Sequence, residues 1–183
     1  MALLAESLVD EWLNRKGFFT VRGVRHGVGE IDLLGVRQGS QSMEARHVEV
    51  QASFRPIGYI TPLPAKALEG FAKSKTSMKA RQLEQLEASV GAWVEKKFTS
   101  SSKCAARDLA WKGLQWKFVL VHAVVRDQNE LILIESHGIE LIPLHRVLGE
   151  LGQGNGIKGG AGTDLSEVIE YFHQNQREGD GRG

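Results

Sequence analysis

The chain has 183 residues, 42% of them apolar and 25% charged, with a formal net charge of +1. That length suits one domain with a substantial core, and the composition is ordinary for a soluble globular protein. A single cysteine, Cys104, excludes an internal disulfide and a multi-cysteine zinc site and suits a reducing cytoplasm.

The first residues, Met1 to Leu4, run into acid at Glu6, Asp10 and Glu11. They lack a signal peptide's basic region and apolar run, and no apolar stretch is long enough to span a bilayer. The expectation is a cytoplasmic protein with no membrane contact.

From Leu3 to Lys16 the pattern has a 3.6-residue period. Leu4, Ala5, Leu8, Val9, Trp12 and Leu13 share one face, Glu6 lies at its border, and Gly17 is a C-terminal stop. Phe18 to Arg25 reads as a strand, Gly27 to Gly29 as a turn, and Glu30 to Arg37 as the returning strand. After a loop at Gly39–Ser42, Arg46 to Phe54 forms a third strand. Val48 and Val50 lie on one of its faces, and His47, Glu49 and Gln51 on the other. Pro56, Gly58, Pro62 and Pro64 mark an irregular segment. Leu83, Leu86, Val90, Trp93 and Val94 then give an amphipathic helix ending near Phe98, followed by a loop at Thr99–Lys103.

Lys117 to Val125 is a near-continuous apolar run, suited to a central strand covered on both faces. Asp127–Asn129 turns the chain into a further extended segment, Glu130–Glu135, with Ile139–Ile142 as its partner. Pro143 to Leu151 is a short helix, 152–163 a glycine-rich linker, and 164–183 a last helix with a polar tail.

Charge is unevenly spread. Residues 53–117 hold 12 Lys/Arg against 5 Asp/Glu, whereas residues 118–183 hold 5 against 10. A basic middle third beside strands that carry acid is the balance a nucleic-acid enzyme needs: cations for phosphates, carboxylates for metal. Those strands hold Glu30-Ile31-Asp32 and Val48-Glu49-Val50-Gln51. Buried carboxylates cost several kcal/mol unless paired or bound to a cation. Two such strands can bring Asp32 and Glu49 together as hard oxygen ligands.

In these residues the chain resembles the PD-(D/E)XK, or restriction-endonuclease-like, nuclease superfamily, and within it the Holliday-junction-resolvase-like branch. Ala5-Glu6 with Val9, Trp12-Leu13 and Gly17 matches the family's first helix. Gly29-Glu30-Ile31-Asp32-Leu33-Leu34 matches its second element, and Val48-Glu49-Val50-Gln51 its third, with glutamine in place of the usual lysine. The resemblance implies an α/β fold with a restriction-endonuclease-like core (α-β-β-β-α-β, a mixed sheet flanked by helices) over residues 1–151, with C-terminal additions. It implies a Mg²⁺- or Mn²⁺-dependent deoxyribonuclease, endonucleolytic rather than exonucleolytic. Asp32, Glu49, the Val50 carbonyl and Glu6 would bind the metal, with Gln51 at the lysine position. The implied partner is nucleic acid, DNA first, and a homodimer is open, since junction-cutting relatives commonly act as dimers.

Glutamine orients a water but adds no charge and cannot serve as a base. Arg55, Lys66 and Lys73 are, by chain position, the candidates for a replacement cation. Two alternatives stand beside the nuclease: a catalytically degenerate nucleic-acid-binding protein of the same fold, and an assembly module that binds a partner through its acidic C-terminal third.

Overall fold

The computed structural model describes residues 2–27, 29–52, 57–64, 80–156 and 167–174. The opening helix α1, Ala2–Arg15, forms where the 3.6-residue pattern places it. Ala5, Leu8, Val9, Trp12 and Leu13 are buried, while Leu4 is 43% exposed and so leaves the expected apolar face. Gly17 stops the helix at φ +81°. Its N–H donates to Asn14 O at 2.9 Å and the Phe18 N–H to Leu13 O at 3.0 Å, which together make a Schellman motif.

Five strands follow in the order β1-β2-β3-β4-β5. They are β1 (Phe19–Arg25), β2 (Glu30–Gln38), β3 (Met43–Gln51), β4 (Trp116–His122) and β5 (Ile139–Pro143). β1, β2 and β3 meander antiparallel; β4 joins β3 parallel, and β5 joins β4 parallel. The result is an α/β protein with a mixed sheet. The apolar run of β4 takes the interior place its composition demands: Val119, Leu120 and Val121 have no exposed surface.

Helices cover both faces. On one, α1 and α5 (Leu144–Gly152) pack with Leu33, Val48, Val50, Val119 and Val121. On the other, α2 (Leu83–Val94) contributes Val90, Trp93 and Val94 against Leu120, Ile134 and Ile139. Each large side chain so buried contributes about 1.5–3 kcal/mol. A π-helical turn, Glu95–Thr99, extends α2, and α3 (Ser101–Ala110) follows it directly. None of the helices among the described residues is long and apolar enough to cross a membrane.

Two expectations are corrected. Thr99–Lys103 is not a loop: it holds the end of the π-helical turn and the start of α3. The inward face of α3 is Lys103, Ala106 and Arg107, so no apolar stripe announces it. Glu130–Glu135 is not extended: it lies in α4, Gln128–Ser136. The Asp127 side chain caps α4 by accepting the Asn129 N–H at 3.0 Å, and Leu131 and Ile134 point inward at helical spacing.

The C-terminal helical residues 167–174 rest on the same core as α1. Glu170 pairs with Arg15 at 2.6 Å, and Ile169 packs on the cluster beneath α1. The remainder of the expected linker and tail, 157–166 and 175–183, lies outside the described residues.

Glu130 has no exposed surface, and its carboxylate accepts the N–H groups of Ile60 (2.7 Å) and Thr61 (2.8 Å) and the Thr61 hydroxyl (2.5 Å). It thereby fastens residues 57–61 to the start of α4. Glu130→Ala orphans those donors and is expected to cost about 3 kcal/mol in urea unfolding; a loss under about 1 kcal/mol would contradict this role.

Candidate functional site

β2 and β3 pair only from Leu33↔Val48 to Gln38↔Met43. Beyond Leu33 and Val48 the ladder ends, and side chains occupy the fork. Asp32 Oδ2 accepts the Val50 N–H at 2.7 Å, a carboxylate standing in for the missing backbone acceptor. The β1–β2 pairing also skips this level: partners are Arg22↔Leu33 and Val24↔Ile31, with Gly23 between at φ +62°. Across this break Ile31 packs against α3 and Leu33 against α1, although alternate residues of a regular strand share a face. The irregularity re-aims Asp32 into the fork.

Glu49 forms the floor. It has no exposed surface, and two ammonium groups and an imidazole surround it. Lys97 Nζ lies 2.5 Å from its Oε2; Lys103 Nζ and His47 Nε2 each lie 3.2 Å from its Oε1. Arg107 donates to His47 Nδ1 at 2.9 Å. That bond makes Nδ1 the acceptor, so Nε2 carries the proton and donates to Glu49. Burial, with Arg107 and Lys103 adding to it, lowers the His47 pKa, which keeps the ring neutral. Lys103 also donates to the Glu30 carbonyl and so bridges β2 to β3.

The electrostatics follow from this packing. Burial alone would raise the Glu49 carboxyl, but the His47 hydrogen bond and the Lys97 and Lys103 charges outweigh it and hold it below the ordinary value. Asp32 behaves oppositely. Burial and then the charge of Glu49 push it up to about 6, against the Val50 N–H and Lys97, with Glu6 adding to the rise. Burial would lower Lys97, yet Glu49, Asp32 and Glu6 together raise it. The ammonium of Lys97 therefore stands in the field of all three acids.

Of the residues singled out from sequence, Glu6, Asp32 and Glu49 come within electrostatic reach of one another. Glu6 also lies 4.0 Å from Arg22 of β1. Gln51 ends β3 on the strand face of Glu49, opposite His122 in register. Glu30 turns away to pair with Arg25 at 2.6 Å. Arg55, Lys66 and Lys73 lie outside the described residues. The cations that do reach the site, Lys97 and Lys103, were not anticipated. One sign of Lys97 was available: it falls three and four residues after Val94 and Trp93, on the apolar stripe of α2, where lysine is out of place.

Among the described residues, no cluster of three or more His, Cys, Asp or Glu side chains is gathered as a metal site. Magnesium keeps several waters and requires only one or two carboxylates. Asp32 meets that requirement: among the described residues its second oxygen, Oδ1, accepts no hydrogen bond.

No family model matches the chain, and a search of curated proteins finds no match. A solved structure, the crystal structure of a protein of unknown function, AF1548, matches with a TM-score of 0.47 at 13% identity, over 83% of this chain and 67% of that one. At that level neither fold family nor activity passes from one protein to the other.

Because burial and the charge of Glu49 hold the Asp32 proton up to about 6, above the ordinary carboxylate range, its contribution to stability is present below about pH 4 and lost as pH rises through about 6. In EDTA, Asp32→Asn is expected to exceed the wild type by about 2 kcal/mol at pH 8, with the gain shrinking as the pH falls through about 6 and gone below about pH 4. Urea unfolding across this range checks it; a gain that does not change with pH would contradict the shift.

Proposed function

We propose that the chain is a metal-dependent nuclease that hydrolyses phosphodiester bonds in DNA, built on a restriction-endonuclease-like core with C-terminal additions. The observation that carries the reading is the placement of Asp32 and Glu49 where β2 and β3 part, with Lys97 on Glu49 and the charge of Glu6 acting on Asp32 and Lys97. The element order supports the fold reading: a helix, three antiparallel strands, a helical segment, then a strand parallel to the third.

The donor chemistry fits a hard divalent cation, since all the candidate ligands are oxygens and Asp32 Oδ1 accepts no hydrogen bond among the described residues. Asp32, Glu49, the Val50 carbonyl and Glu6 would hold Mg²⁺ or Mn²⁺. A bound ion would lower the pKa of a coordinated water and offset charge on the phosphate. The residues of the chain divide the remaining work. Lys103 and His47 hold the Glu49 carboxylate in one orientation. Val50 N–H orients Asp32. Gln51 offers an amide to orient the attacking water. Lys97 supplies the positive charge that glutamine at position 51 lacks, from a side chain with 21% of its surface exposed. Arg22, on the strand beside the fork, adds a cation for the DNA backbone.

A second reading, a degenerate protein that binds nucleic acid without cutting it, draws on a specific observation: two lysines already neutralise Glu49. The two readings separate in a cleavage assay on single-stranded, duplex and branched DNA. With Mg²⁺ or Mn²⁺ the wild type is expected to cut at least one of these. Asp32→Ala and Glu49→Ala should each lose about a thousandfold or more in rate while retaining DNA binding. Binding without cleavage on every substrate and with both metals would favour the degenerate reading.

A further inference from the structure

The ammonium of Lys97 occupies an unusual position. Its Nζ is 2.5 Å from Glu49 Oε2, and Asp32 and Glu6 both act on it. A monovalent cation thus pairs with one, and lies in the field of the other two, of the carboxylates to which the nuclease reading assigns a divalent one. The other lysine at Glu49 differs in every respect that governs whether it can leave. Lys103 has a side chain 6% exposed and holds both Glu49 Oε1 and the Glu30 carbonyl, so removing it would unfasten β2 from β3. Lys97 is 21% exposed and has Glu49 as its single hydrogen-bond partner among the described residues. Its flexible stem rises from a π-helical turn, in which the Ser100 N–H reaches back five residues to Glu95 O at 2.7 Å. Such a turn carries one residue more than an α-helical turn and is found frequently at functional sites.

We infer that Lys97 is an internal counter-cation: it neutralises Glu6, Asp32 and Glu49 in the metal-free protein and withdraws from Glu49 when a divalent cation binds. The inference rests on the nuclease reading for the identity of the three ligands. It adds that the ion and the ammonium exclude one another at Glu49 Oε2, so metal loading frees Lys97 to face solvent and substrate. The charge balance requires this exclusion. Lys97, Lys103 and Arg22 already offset the three carboxylates, and a divalent ion added on top would leave excess positive charge against a buried floor.

Competition of this kind has a sign opposite to that of an ordinary supporting residue. Removing a residue that merely props up a metal ligand weakens metal binding, typically 10- to 100-fold. Removing a competitor strengthens it. The experiment is calorimetric titration of the full chain with Mn²⁺ alone, for the wild type, Lys97→Met and Lys97→Gln. Glutamine retains a hydrogen-bond donor to Glu49 should methionine prevent folding. Thermal unfolding in EDTA and in Mn²⁺ accompanies each titration.

The expected result is Mn²⁺ binding at least tenfold tighter in the variants than in the wild type. The melting temperature should fall in EDTA and recover more in Mn²⁺ than it does for the wild type. Variants that bind Mn²⁺ as weakly as the wild type, or more weakly, would overturn the inference while leaving the nuclease reading intact. Binding in the variants with none in the wild type would overturn both the withdrawal of Lys97 and the nuclease reading, since the protein would then neutralise its own site. Binding in neither would overturn both.

Discussion

Glu49 lies within a five-stranded sheet with no exposed surface, and an ionised carboxylate there costs several kcal/mol unless cations and donors oppose it. That requirement shapes everything near the fork. It draws Lys97 inward from the π-helical turn and turns the polar face of α3 toward the sheet. It also selects the His47 tautomer that donates to Oε1, through Arg107 on the opposite ring nitrogen. The aromatic cluster completes the enclosure: His47 lies 5.0 Å from the Phe98 ring and 5.7 Å from the Phe118 ring, centroid to centroid. Apolar packing excludes water from the floor, which strengthens each charge interaction within it.

Two neighbouring carboxylates thus acquire opposite characters. Glu49 has its compensation built in and stays ionised. Asp32 sits nearer the mouth, with one backbone N–H and a share of Lys97, and its proton is held up to about 6. Glutamine at position 51 is then less of a deficit than it is in the strand alone, because the positive charge arrives from the helical segment that follows α2.

Sequence made the first half of this legible. The period of α1, the Gly17 stop, and the acids of β2 and β3 each follow from local pattern, and the register of two hairpin-linked strands brings Asp32 and Glu49 to one place. The second half was hidden for physical reasons. α3 turns Lys103, Ala106 and Arg107 inward, and apolar periodicity cannot reveal a helix whose buried face is charged. Leu131-Ile132-Leu133-Ile134 is an unbroken apolar run with no period of its own. Only Asp127 and Glu130, spaced as a capping pair, mark it as a helix rather than a strand. Lys97 depends on the single extra residue of a π-helical turn, which no propensity signals. Gly23 at positive φ, opposite Asp32, likewise looks like an ordinary strand glycine until its register is known.

The central claim is that the fork between β2 and β3 is a cation site whose occupant is exchangeable. The most direct measurement is anomalous diffraction from crystals of the wild-type protein soaked in Mn²⁺. The account predicts one strong manganese peak within coordination distance of Asp32 and Glu49, with the Lys97 side chain drawn back from Glu49 Oε2. A fork holding no manganese, with Lys97 still paired to Glu49 at saturating Mn²⁺, would contradict it.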